Sequence, residues 1–115
     1  MSVKIAFLGL GVMGFPMAGH LSKNNYDLNI YNRSVSKSEN WIKNYQGNLC
    51  KTPAEAIENA DYIITCVGED KDLLEIFEGS NGILEKIKSG SIVIDHTTAS
   101  AKIAKNLYKK CKSIN

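Results

Sequence analysis

The fold is decided by one stretch near the start of the chain, Val3-Lys4-Ile5-Ala6-Phe7-Leu8-Gly9-Leu10-Gly11-Val12-Met13-Gly14. Its first half reads as a short apolar strand, and its second half has the Gly-x-Gly-x-x-Gly spacing. Apolar residues then recur at helical spacing as far as Leu21. A strand, a glycine turn and a helix in this order are typical of a turn that binds the pyrophosphate of a dinucleotide. The alternative is a glycine-rich turn without a ligand.

The three glycines have separate tasks in such a turn. Gly9 lets the chain turn sharply off the strand, Gly11 lets the backbone approach a pyrophosphate, and Gly14 lets the helix lie close to the strand. Backbone N–H groups and the positive end of the helix dipole then favour a phosphate at the helix N-terminus. We therefore predict phosphate binding here without any charged side chain.

The same region could be interpreted as a secretory signal, because Lys4 precedes an uncharged apolar run from Ile5 to Gly19. Its composition argues against that interpretation. Four glycines and Pro16 make a poor signal helix, and Ala18 to Leu21 offer no small-x-small cleavage site. The run is also too short and too broken by glycine to span a bilayer. We expect a cytoplasmic protein without a membrane segment.

The composition is that of an ordinary globular protein: 115 residues, 43% hydrophobic and 23% charged, with a net charge of +2. This is enough chain for one domain, residues 1–115, with a real core. Five lysines form a modest cluster near the C-terminus, at Lys102, Lys105, Lys109, Lys110 and Lys112. Tyr108 is the only aromatic residue after Phe77, and such a cluster is typical of a solvated helix face, so we expect no nucleic-acid partner.

Cysteine and histidine usage argues against a metal site. Cys50, Cys66 and Cys111 are an odd number without a Cys-x-x-Cys pair, and His20 and His96 are too isolated for metal-ligand spacing. We predict no metal ligand, and reduced thiols as in a cytoplasmic protein.

Apolar and amphipathic segments alternate regularly along the chain. Short apolar runs predict strands at Val3–Leu8, Leu28–Tyr31, Asn48–Cys50, Tyr62–Val67 and Ser91–Ile94. Amphipathic stretches predict helices at Met13–Lys23, Ser36–Tyr45, Pro53–Glu58, Lys71–Phe77 and Ala101–Lys110, with a further turn at Ile83–Lys86. This alternation indicates the α/β class: a Rossmann-like, doubly wound parallel sheet in three layers, with helices on both faces.

The end of the second strand indicates which dinucleotide is bound. Asn32-Arg33-Ser34 begins 18 residues after Gly14, near the position where an acidic residue would bind a ribose 2′-hydroxyl. An amide, a guanidinium and a hydroxyl stand there instead, and together they suit a 2′-phosphate. We therefore predict NADP, with NAD as the alternative. In a purely structural interpretation, Arg33 is an exposed turn residue and Ser34 or Ser36 caps the next helix.

Two further strand ends are predicted at the same edge of the sheet. Backbone from Cys66 to Gly68 could border the second half of the cofactor, or form a plain turn in which Asp70 caps the next helix. The fifth strand is followed by a polar patch whose hydroxyls can bind a substrate or a nicotinamide ribose, Asp95-His96-Thr97-Thr98-Ala99-Ser100. His96 is of a type used in acid–base catalysis, but the sequence places no partner beside it.

Three motifs together resemble the β-hydroxyacid dehydrogenase family, which includes 3-hydroxyisobutyrate dehydrogenase and several semialdehyde reductases and is related to 6-phosphogluconate dehydrogenase. The motifs are Gly9-Leu10-Gly11-Val12-Met13-Gly14-Phe15-Pro16-Met17-Ala18, Asn32-Arg33-Ser34 and Asp95-His96-Thr97-Thr98-Ala99-Ser100. The resemblance covers essentially the whole chain. The resemblance implies hydride transfer between NADP(H) and a small β-hydroxyacid or its semialdehyde.

The resemblance also implies roles for individual residues. The stretch from Gly9 to Met17, with Leu10, Val12 and Met13, would hold the pyrophosphate, and Arg33, with Asn32 and Ser34, would select NADP. Cys66 and Val67 would line the nicotinamide half, Thr98 would contact the cofactor, and Asp95, His96 and Thr97 would shape the loop on the substrate side.

In this family the catalytic lysine lies beyond the segment present here, as does a helical second domain that closes the active site and builds the dimer. We therefore assign no catalytic residue. We expect the cofactor-binding part of a dehydrogenase, inactive by itself, whose full-length form is a homo-oligomer. Two alternatives stay open: a short dinucleotide-binding sensor or regulatory module, and a subunit that supplies the dinucleotide site to a separate partner.

Overall fold

The computed structural model describes residues 3–11, 13–24, 26–67, 70–79, 82–84, 86–87 and 90–95. Within them the chain forms strands β1 Lys4–Leu8, β2 Asp27–Tyr31, β3 Asn48–Leu49, β4 Tyr62–Thr65 and β5 Ile92–Asp95. The helices are α1 Gly14–Lys23, α2 Val35–Asn44, α3 Pro53–Ala56 and α4 Asp70–Glu78. The predicted helix Ala101–Lys110 lies outside the described residues, as do Val12, His96, Thr97 and Thr98.

The five strands form one parallel sheet in the order β3-β2-β1-β4-β5. Strands β2 and β3 lie in sequence order on one side of β1, and β4 and β5 lie on its other side. The carboxyl ends of β1, β2 and β4 therefore meet at the point where the strand order reverses. In open α/β sheets, ligands bind in the crevice at such a switch point.

Two hydrophobic cores lie on opposite faces of the sheet, as the alternation of side chains along β1 requires. Ala6 and Leu8 belong to the core that contains the apolar side chains of α3 and α4. Ile5 and Phe7 belong to the core that contains Ala18 of α1 and the fully buried Trp41 of α2. The predicted three-layer, Rossmann-like α/β fold is thereby confirmed.

The predicted element boundaries differ from the observed ones by a few residues at most. The largest difference among the helices is at α3, which ends at Ala56 instead of Glu58, shortly before Asn59 takes a left-handed φ of 60°. Its start is as predicted, because the Thr52 hydroxyl accepts a hydrogen bond from the Glu55 N–H at 3.1 Å and a proline follows the cap. The turn at Ile83 is closed by hydrogen bonds from the Lys86 and Ile87 N–H groups to the Ile83 carbonyl.

In the described ranges, none of the helices is long and apolar enough to cross a bilayer.

Candidate functional site

A cavity of about 420 Å³ lies at the carboxyl edge of the sheet, where β1, β2 and β4 end. Its volume is in the range of small-molecule sites, roughly 300 to 1,000 Å³. Nine of the residues predicted from the sequence line this cavity: Gly9, Gly11, Met13, Gly14, Asn32, Arg33, Ser34, Cys66 and Val67. The sequence did not single out the other lining residues, which are Tyr31, Lys37, Asp72, Glu75 and Ile76.

Leu10 is the one described residue of Gly9–Gly14 that does not line the cavity. Its side chain is 1% exposed and packs in the core beside α1 and α2. Its backbone N–H donates a hydrogen bond to Asn32 Oδ1 at 2.8 Å. Leu10 therefore holds the turn in place from behind.

Two of the three glycines are required by the fold itself. Gly9 has a φ of +111°, which disfavours any side chain, and a Cβ there would collide with the carbonyl oxygen of Cys66. A Cβ on Gly14 would collide with the carbonyl oxygen of Gly9 and lie 3.2 Å from the Phe7 ring. The close approach of α1 to β1 thus depends on Gly14, and the packing of the turn against the end of β4 depends on Gly9.

Gly11 differs from its two neighbours in the motif. Among the described residues, a Cβ built at this position would have no atom within 4 Å beyond its chain neighbours, and its φ is not positive. Because Gly11 faces the cavity, the space beside its backbone is open to a ligand. The packing of the described residues gives no reason for a glycine here, whereas a bound pyrophosphate would.

The N-terminus of α1 opens onto the same cavity. Met13 occupies the cap position without a side-chain cap, and the first turn carries no acidic residue. The first N–H groups of a helix and its dipole favour an anion where no side chain of the protein takes that place. Met13 itself is 62% exposed, beside the cavity.

Asn32 joins two loops at the cavity wall. Besides accepting from Leu10, its side-chain amide donates to the Ser34 carbonyl at 3.1 Å. The sequence predicts that Asn32 contacts a phosphate of the cofactor. Asn32 lines the cavity, and the phosphate contact stays a prediction. The structure adds a second role, because this side chain ties the glycine turn to the start of α2.

This bracing role gives a testable expectation for stability. Asn32→Ala removes the acceptor of the Leu10 N–H and should lower the free energy of unfolding by about 1 to 2 kcal/mol, a usual cost for a lost and partly buried hydrogen bond. Asn32→Asp keeps an acceptor and should retain more of that stability. Urea unfolding of the three proteins measures the difference, and equal stability of wild type and Asn32→Ala would contradict the role.

Arg33 and Lys37 provide positive charge at the adjacent wall of the cavity. Lys37 lies in the first turn of α2, Arg33 precedes that helix, and both residues line the cavity. The Arg33 side chain is 76% exposed, and its Nη1 lies 3.0 Å from Asp72 Oδ1. Asp72 comes from α4, so an acid stands beside this guanidinium although none follows β2 in the sequence.

Ser34 occupies the N-cap position of α2, in extended backbone, which agrees in part with the structural interpretation of this motif. Its hydroxyl makes no capping hydrogen bond and instead lies 2.9 Å from the Ser36 hydroxyl. Asp70, considered as a cap for α4, is already the first residue of that helix.

Tyr31 lines the cavity at the end of β2. Its burial raises the pKa of the phenol, the charge of Glu75 raises this pKa further, and Arg33 opposes the shift. The phenol therefore stays protonated at neutral pH and is available as a hydrogen-bond donor.

The far side of the cavity is less polar, with Cys66, Val67 and Ile76.

Cys66 and Cys50 are buried thiols outside any disulfide. Burial raises the pKa of the Cys50 thiol to about 11, and the charge of Glu55 is the next largest cause of this rise. In the part of the chain that the structure describes, no group of three His, Cys, Asp or Glu residues could hold a metal ion.

The fold and this cavity define a dinucleotide-binding α/β domain, and comparison with known proteins gives the family. Residues 4–115 match the NAD binding domain of 6-phosphogluconate dehydrogenase. The chain belongs to that family of NAD-binding domains.

Its relatives include longer oxidoreductases. An uncharacterized oxidoreductase of Shewanella frigidimarina is 45% identical over 112 residues, which cover 97% of this chain and 38% of the relative. The mitochondrial 3-hydroxyisobutyrate dehydrogenase of mouse is 38% identical over 112 residues, covering 96% of this chain and 32% of the enzyme. This chain thus spans only 32 to 38% of the length of these relatives.

Solved structures confirm the fold. The 3-hydroxyisobutyrate dehydrogenase of Mycobacterium tuberculosis, solved with L-serine, superposes with a TM-score of 0.88 at 23% identity, over 98% of this chain and 38% of that enzyme. An imine reductase from Myxococcus stipitatus in complex with NADP⁺ gives a TM-score of 0.82 at 20% identity, over 96% and 37% of the two chains.

Proposed function

We propose that this chain is the cofactor-binding part of an NADP-dependent oxidoreductase that acts on a small β-hydroxyacid or its semialdehyde. The name of its relatives, 3-hydroxyisobutyrate dehydrogenase, supports a substrate of this class. The observation that carries the proposal is the open backbone at Gly11, beside an α1 N-terminus without a side-chain cap. A pyrophosphate fits the chemistry of this place, since N–H groups and a helix dipole bind it without a cation.

The adenosine end of the cofactor would lie toward β2 and α2. There Arg33 and Lys37 can neutralise a 2′-phosphate, the Ser34 hydroxyl can donate to it, and the guanidinium can stack on the adenine. We favour NADP over NAD because two cations line this wall of the cavity.

The nicotinamide end would extend toward Cys66 and Val67, whose low polarity suits a neutral ring. When bound, the nicotinamide cofactor would accept or supply the hydride. The chain's own part is to fix the cofactor's pyrophosphate and orient its ring. Thr98 as a cofactor contact and Thr97 as a substrate contact remain part of the proposal, and both lie outside the described residues. We assign no proton donor to this chain.

Arg33→Ala tests the cofactor assignment. Binding of NADPH and NADH to wild type is measured by calorimetric titration, and NADPH should bind the tighter. Loss of a charge-assisted contact of about 1.5 to 3 kcal/mol should weaken NADPH binding roughly 10- to 100-fold. NADH binding should change less than about threefold. Lys43→Ala is the matched control, since it removes a cation from the last turn of the same helix, away from the cavity.

Two results would contradict the proposal. One is the absence of saturable binding of either dinucleotide to wild type. The other is tighter binding of NADH than of NADPH, or a loss of NADPH binding in Arg33→Ala no greater than in Lys43→Ala.

A further inference from the structure

The acid that meets Arg33 comes from a distant part of the chain. Asp72 lies in the first turn of α4, on the other side of the cavity from α2, and 39 residues separate it from Arg33. Its carboxylate is the less exposed partner, with 22% of the side chain accessible against 76% for Arg33. Both residues line the same cavity as Gly11.

This ion pair places a negative charge where the proposed function puts the 2′-phosphate. One Nη of the guanidinium already donates to the Asp72 carboxylate at 3.0 Å. A phosphate that approached Arg33 would have to share that group and would lie near a like charge. A ribose 2′-hydroxyl, in contrast, can donate a hydrogen bond to a carboxylate, which is the usual recognition of NAD.

We propose that Asp72 is a specificity-determining residue, which competes with the 2′-phosphate for Arg33 and thereby reduces the preference for NADP over NAD. This inference rests on the proposed function, because it concerns the same site. It also explains how the site can contain two cations and two acids: Arg33 and Lys37 attract the phosphate, while Asp72 and Glu75 limit that attraction.

The pair is a poor candidate for a purely structural role. Ion pairs with one highly exposed partner contribute little to stability, so the fold does not depend on this contact. The carboxylate also lies near the N-terminus of α4, where an acid is modestly favourable and an amide of the same shape is tolerated. Asp72→Asn should therefore fold normally and report on binding alone.

The test compares dissociation constants of NADPH and NADH for the 115-residue chain and its variants, by calorimetric titration at low salt. Asp72→Asn should tighten NADPH binding roughly three- to tenfold and leave NADH unchanged or weaker, so that their ratio shifts toward NADPH. Glu78→Gln removes the same charge from the same helix, at a residue outside the cavity lining, and should shift the ratio less than about twofold.

A double variant tests whether Asp72 acts through Arg33. In an Arg33→Ala background, Asp72→Asn should lose at least about half of its effect on NADPH, because coupled residues are not additive. An unchanged NADPH-to-NADH ratio in Asp72→Asn, or an equal shift in Glu78→Gln, would overturn the inference while wild-type binding of NADPH still supports the proposed function. If wild type binds neither dinucleotide, both fail.

Discussion

Gly11→Ala should fold as well as wild type and bind NADPH roughly 10- to 100-fold more weakly. A methyl group at this position meets no atom of the described residues within 4 Å apart from its chain neighbours, and the backbone φ is acceptable to alanine. Replacing glycine by alanine under these conditions changes stability by about 1 kcal/mol or less, and can raise it. In the bound state the same methyl group would stand between the backbone and the pyrophosphate, so the contacts would lengthen or break.

The measurement pairs thermal unfolding with an NADPH titration on the same preparations. Gly14→Ala is the contrasting variant, because its methyl group collides with the Gly9 carbonyl and should reduce both stability and binding. If Gly11→Ala bound NADPH as tightly as wild type, the pyrophosphate would not lie against this backbone. If Gly11→Ala lost as much stability as Gly14→Ala, the space beside Gly11 would not be open in the folded protein.

Gly9→Ala should destabilise the fold by about 2 to 5 kcal/mol. About 1 to 2 kcal/mol comes from forcing an alanine into a positive φ, and about 1 to 3 kcal/mol from the collision with the Cys66 carbonyl. Since domains of this size have a free energy of unfolding of about 5 to 15 kcal/mol, the loss should be visible as a drop of at least about 10 °C in Tm.

Gly90→Ala separates these two contributions. Gly90 also has a positive φ, of +94°, but in the part of the chain that the structure describes a Cβ there would have no atom within 4 Å beyond its chain neighbours. It should therefore show the backbone cost alone. Equal unfolding temperatures for Gly9→Ala and Gly90→Ala would mean that the close packing of β1 against β4 at this turn is not what requires a glycine.

Much of the fold could be predicted because its signals are local. The glycine turn follows an apolar strand, Thr52-Pro53 marks a helix start, and Tyr62 to Thr65 is a short apolar run of the length of a buried strand. Element ends were less accurate, because a strand such as β3 is only two residues long and is defined by its partner β2. Neither Asn48 nor Leu49 is of a residue type that predicts where the strand ends.

The candidate site was predictable where its residues follow strands, and not where they come from helices. Gly9 to Gly14, Arg33 and Cys66 all follow strands, whose carboxyl ends must meet at one edge. Lys37 lies in the first turn of α2, and because Arg33 precedes that helix, helical spacing does not link the two residues. Asp72 had no signal in the sequence, because its meeting with Arg33 depends on how α4 packs across β4. Asn32 was assigned to the ligand, although its hydrogen bond to Leu10 could not be inferred from spacing.

NMR titration of the ¹⁵N-labelled chain with NADPH tests most directly whether a nicotinamide dinucleotide occupies the cavity at the carboxyl edge of the sheet. We predict saturable shifts concentrated at the amides of Gly11, Met13, Arg33 and Val67. A second cavity, of about 460 Å³, lies at the opposite edge beside Asp27 and Gly47, whose amides should not shift. Shifts confined to that second cavity, or no shifts with NADPH in large excess, would show that the dinucleotide does not bind at the carboxyl edge.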